Sequence, residues 1–154
     1  MTDLHGIDAL RTRPLTHDRD LTALVNALLP TACTRRLWVM LLDDEMRSTD
    51  VLMPIDDIPK DPTQIAAMPA SGPVTVAQTL GQQIARIVQQ TPVAYAVVVW
   101  ERTGSALVDA VDREWIAGMR QGFASNASAL RAQFVLSDDG AEIIADEVRV
   151  HQAA

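Results

Sequence analysis

The sequence predicts an α/β (α+β) domain: a single mixed β-sheet with two hairpins and a central strand, flanked by about three helices. Three observations predict it. Residues 93–100, Val-Ala-Tyr-Ala-Val-Val-Val-Trp, form an apolar run without polar alternation, as in a strand covered on both faces. Residues 76–90 repeat apolar side chains at helical spacing. Residues 36–54 and 131–145 each read as apolar strand, polar turn, apolar strand. With 154 residues, 48% apolar and 21% charged, the chain suits one core and has the composition of a globular protein.

Taken in order, residues 1–16 show no clear period and are expected to be a loose lead-in to a domain spanning 17–147. Asp18 or Asp20 is placed to cap a helix whose Leu21, Leu24, Val25, Leu28 and Leu29 share one face, and Pro30 stops it. Residues 36–42 are a buried strand, 43–48 a turn and 49–54 the returning strand, with Pro54 at its end or on a sheet edge. Pro59, Pro62, Gly72 and Pro73 mark 55–73 as a connection, read as a long crossover rather than a flap, with one helical turn at 62–68.

Thr75 caps the helix over 76–90, striped by Val76, Leu80, Ile84, Ile87 and Val88. Gly81 inside it points to a close helix–sheet contact, and Pro92 closes it. After the central strand and a loop at 101–105, Asp109 and Asp112 open a third helix running to about residue 125. Its stripe is Val111, Trp115, Met119 and Phe123, with Ile116 alongside. Residues 131–136 and 141–145 form the second hairpin, with Gly140 at positive φ in its turn. Residues 148–154 are expected to fray. Strands 49–54 and 141–145 are the expected sheet edges, where two copies of the chain could pair.

The net charge of −7 disfavours nucleic acid and anionic membranes as partners. No segment approaches the length of a transmembrane helix, and the first residues lack the apolar core of a signal peptide, so a cytoplasmic setting is expected. Lys60 is the only lysine among 13 basic residues, a bias typical of GC-rich genomes. Cys33 is the only cysteine; it fits a reducing compartment and reads as a small apolar filler.

Chemistry-bearing motifs are scarce. The three histidines are His5, His17 and His151, so the folded body offers no imidazole to a transition metal. The acidic turns at 43–45, 56–57 and 138–139 lack calcium-loop spacing and read as solvated turns. No phosphate-binding glycine loop is present, and Ser105 lacks the context of a nucleophile, which leaves it turn duty. Trp38, Trp100 and Trp115 lie in apolar patterns and read as core; Trp100 ends its strand where ligands often bind in α/β sheets.

The order of elements over residues 36–145 resembles the JAB/MPN metalloprotease superfamily, particularly its RadC-type bacterial branch, with its cytidine-deaminase-like layering. In that family the apolar strand runs into a His-x-His loop, and Ser-x-x-Asp opens the next helix. Here Trp100 and Arg102 stand in the places of the two histidines, Asp109 in that of the serine, and Asp112 in that of the metal-ligand aspartate. Trp and Arg cannot bind zinc in the usual way. The layout is also similar to short actinobacterial proteins that lack the histidines. The resemblance therefore implies a degenerate, metal-free and cofactor-free relative.

The sequence reading is thus a non-catalytic protein-interaction or small-ligand-binding domain, with a protein partner or a second copy as its macromolecular partner. Its candidate pocket gathers Trp100, Glu101, Arg102, Ser105, Asp109 and Asp112. An Arg102–Asp112 salt bridge is expected there. The alternative is a hydrolase using carboxylates near the end of the central strand, with Asp112, Glu101 and Arg102 as its residues, or a site completed across a dimer interface.

Overall fold

Alternation along strand β1 (Arg36–Leu42) sorts its apolar side chains onto two faces, and both faces are covered. In the computed structural model, which describes residues 4–145, β1 lies between β2 (Ser48–Ile55) and β5 (Tyr95–Glu101), antiparallel to each. Strand β6 (Leu130–Ser137) pairs parallel to β5, and β7 (Gly140–Ile143) returns antiparallel to β6. The sheet order is β2-β1-β5-β6-β7. The predicted mixed sheet, its two hairpins, its central strand and its two edges are all present.

Leu37, Val39, Leu41, Ala96 and Val98 face helices α3 (Val76–Gln90) and α4 (Ala110–Gly122). Met40, Leu42, Val97, Val99, Phe134 and Leu136 face helix α2 (Asp18–Leu28). The result is three layers with a core on each side of the sheet. A parallel pair needs a crossover, and α4 with a following 3-10 turn (Ala124–Ala129) makes the one from β5 to β6. No helix among the described residues is long and apolar enough to cross a membrane.

Several expectations change. The lead-in is not loose: Leu4–Thr12 forms helix α1, and Leu10 packs on the α2-side core. Leu15 is fully buried, its N–H donates to the Met46 carbonyl, and its carbonyl accepts from the Arg131 guanidinium. A helix of nine residues offers too few apolar positions to show a period. Asp18 starts α2 rather than capping it; His17 is the N-cap residue and makes no side-chain cap bond. The helical turn expected at 62–68 is replaced by β3 (Ile65–Ala67), which pairs with β4 (Val74–Thr75). Cys33 is exposed, because the connection into β1 runs over the surface, so it is no core filler. The expected fraying at 148–154 lies outside the described residues.

Gly81 marks a helix–helix contact, not the expected helix–sheet one. A Cβ at Gly81 would stand 2.6 Å from the Met119 carbonyl oxygen of α4, and one at Gly122 would stand 2.5 Å from the Gly81 backbone. The two helices therefore cross with backbones nearly touching. That crossing fixes the carboxyl half of α4 against α3, while the Arg102–Asp112 pair ties its first turn to the end of β5.

Candidate functional site

The start of α4 is set by a reciprocal cap. The Asp109 carboxylate accepts from the Asp112 N–H at 2.8 Å, and the Asp112 carboxylate accepts from the Asp109 N–H at 3.0 Å. The hydrogen bond from the Asp112 backbone, against slight desolvation and aided by the Asp112 side chain and the Arg102 charge, holds the Asp109 carboxyl below its ordinary range. Arg102 follows β5 and reaches across to this turn. Its guanidinium donates to the Asp112 carboxylate and to the Leu107 carbonyl, forming the predicted salt bridge.

Beside this pair lies a cleft of about 420 Å³. Its apolar lining is Trp100, Trp115, Ile58, Ile116, Val111 and Val135, and its polar lining is Arg35, Arg36, Lys60, Glu101, Arg102, Asp109 and Asp112. The Trp100 and Trp115 rings lie 5.8 Å apart at 45°. Trp100 is fixed by its indole N–H, which donates to Gln133 Oε1 at 2.8 Å; Gln133 Nε2 in turn donates to the Ile116 carbonyl at 3.1 Å. The tryptophans are thus packed, as expected, and one side of them also walls a cleft. Val111, read as core from its place in the stripe, is half exposed at this opening because the α4 stripe runs past the edge of the sheet.

Five of the six residues singled out from the sequence border the cleft: Trp100, Glu101, Arg102, Asp109 and Asp112. Ser105 does not. It is exposed in the loop, where its Oγ accepts from the Leu107 N–H at 3.0 Å, a turn role. Glu101 follows Trp100 along the strand, so its side chain turns to the opposite face. There it is only 5% exposed and accepts from the Cys33 N–H at 2.6 Å, the Thr34 N–H at 3.0 Å and Trp38 Nε1 at 2.8 Å. Burial raises its pKa, but these three bonds and the Arg36 charge outweigh burial and hold it below the ordinary glutamate value.

Arg35, Arg36, Ile58 and Lys60 escape the sequence reading. The segment carrying Ile58 and Lys60 looks like a mere connection, and only the fold brings it to the end of β5. Arg35 ties it there by donating to the carbonyls of Ile58 at 2.6 Å and Pro59 at 2.9 Å. Arg36 pairs with Asp56 at 2.9 Å and lies over the Trp38 ring. The one available signal was that the only lysine sits between Pro59 and Pro62.

No family model and no curated protein matches the chain. The chemistry of the cleft is therefore the ground for a functional reading. Among the described residues, no three His, Cys, Asp or Glu side chains gather where a metal ion could be held. What gathers is a pair of tryptophans, four aliphatic side chains and a mixed set of four cations and three carboxylates.

Proposed function

We propose that the protein is a non-catalytic binding module whose site is the cleft at the carboxyl end of β5. The observation that carries this is the pairing of Trp100 and Trp115 as one wall of a cavity large enough for a small molecule. The state of the carboxylates supports binding over general-base chemistry. Glu101 is turned to the other face, Asp112 holds Arg102, and Asp109 caps α4.

We extend the proposal to ancestry: a degenerate relative of the RadC-type JAB/MPN domains. Its supports are the order of hairpin, helix, central strand, helix and strand pair, and the place of Asp112 in the first turn of α4. Arg102, standing where that family has a histidine, puts a fixed positive charge on the aspartate that would otherwise hold metal. A cytoplasmic setting without nucleic-acid partners belongs to the same proposal, supported by the exposed lone thiol of Cys33 and the net charge of −7.

A second reading, in which a partner protein inserts a side chain into the cleft, is favoured by Leu107, 81% exposed, and by Val111 at the opening.

A thermal-shift screen of small aromatic fragments tests the site. Fragments that raise the melting temperature should lose their effect in Val111→Trp, which fills the opening from a half-exposed position. Fragments that stabilise Val111→Trp as well as the parent would place binding elsewhere.

A further inference from the structure

We infer that the ligand of this cleft is a small anion with an aromatic body, an aryl carboxylate in type; the inference rests on the cleft being a ligand site, as proposed above. Three observations point to a negative charge.

The first is the local balance of charge. The cleft is bordered by four of the chain's 13 basic residues, Arg35, Arg36, Lys60 and Arg102, and by three of its 20 acidic ones, Glu101, Asp109 and Asp112, with Asp56 beside it paired to Arg36. The second is how that charge is engaged. The carboxylates are all committed within the fold, and Arg102 and Arg36 face Asp112 and Asp56. Arg35 donates only to backbone carbonyls, which leave its charge uncompensated. Lys60 is exposed and makes no ion pair with any described residue. Two positive charges at the cleft thus lack a counter-charge.

The third is the surplus of donors. Among the described residues, two buried side-chain polar atoms have no hydrogen-bond partner: Arg102 Nε and Trp115 Nε1. Both belong to residues bordering the cleft, and both are donors. Buried polar atoms are nearly always paired, and both of these are shut off from solvent, so a ligand acceptor reaches them only with a shift of the Arg102 or Trp115 side chain. A carboxylate brings acceptors and charge together, and Arg and Lys are suited to receive it. The rest of the lining selects the body. Trp100 and Trp115 with Ile58, Ile116, Val111 and Val135 make the rest of the lining aromatic and aliphatic, which suits an aromatic body.

The test compares 1-naphthoate with the uncharged 1-naphthamide by quenching of tryptophan fluorescence, in the parent protein and in Lys60→Gln. Lys60 is exposed and unpaired, so this variant keeps its fold. The expected result is binding of naphthoate at least about fivefold tighter than naphthamide, the factor that roughly 1 kcal/mol gives for an exposed charge pair. Lys60→Gln should reduce that preference severalfold without weakening naphthamide, and added salt should shrink it. Equal binding of the two probes overturns the anion inference and leaves the cleft as a site for neutral ligands. An unchanged preference in Lys60→Gln overturns the role given to Lys60. Absence of binding by both probes overturns the cleft reading itself, and this inference with it.

Discussion

Glu101 sits one residue from the cleft wall yet serves the opposite face of the sheet. Its carboxylate gathers the Cys33 and Thr34 N–H groups and the Trp38 indole, and so pins the connection from α2 to β1 against the end of β5. Glutamine at this position would keep one acceptor and turn an NH₂ toward donors. Glu101→Gln is therefore expected to cost about 2–3 kcal/mol in urea unfolding, the price of a buried donor left unmatched. The pH dependence follows from the same contacts. The folded protein holds this carboxyl below the ordinary value of 4.5, so unfolding in acid takes up a proton. The stability from Glu101 is complete above the ordinary value and is lost as pH falls through the lower folded one. The parent should lose stability over that acid range more steeply than Glu101→Gln, as urea midpoints measured at a series of pH values would show. Little of this was legible in the sequence. Glu101 was marked because it follows the apolar strand, but its partners lie more than sixty residues earlier, and local pattern carries no information about them. Arg102 and Asp112 were legible as a pair because only ten residues separate them.

At the scale of elements, α3 and α4 cross with their backbones in contact at Gly81 and Gly122. Helix propensity alone favours alanine over glycine by about 1 kcal/mol, so Gly122→Ala would stabilise an isolated helix. Here the added Cβ would meet the Gly81 and Gln82 backbone at 2.5 Å, and backbone does not yield as a side chain does. We expect the sign to reverse, with a loss of about 2 kcal/mol from overpacking, read as a lower melting temperature. Removing the cap with Asp109→Ala should loosen the first turn of α4, visible as faster amide exchange at Asp112. Strong local signals carried the elements that the sequence did show. The 76–90 helix had a capping threonine, a five-residue stripe and a closing proline, and the structure returns it over the same residues. The β3–β4 pair had none of these: with strands of three and two residues, it is too short for alternation to register. The glycine contact was visible as an anomaly, yet its partner was misjudged, since a glycine reports close approach without saying what approaches.

Across the whole molecule, the central strand is paired on both sides to its last residue, Glu101, and the cleft opens just beyond that end. The crevice beyond the carboxyl end of a strand is where α/β sheets commonly accept ligands. The sequence indicated that place through Trp100 and the loop after it. It could not supply the other wall, because Arg35, Ile58 and Lys60 reach the cleft only when the 55–73 connection is tied across the end of β1 by the Arg35 guanidinium. The proposed binding surface is the Trp100–Trp115 pair, and the chain contains its own control. Trp38 lies on the other side of the sheet with its indole N–H bonded to Glu101, so the three tryptophans report on two separate places. The most direct measurement is the ¹⁵N–¹H spectrum of the three indole N–H groups as 1-naphthoate is added. The Trp100 and Trp115 signals are expected to move together while Trp38 stays in place; movement of Trp38 alone, or of none of the three, would contradict the proposed site.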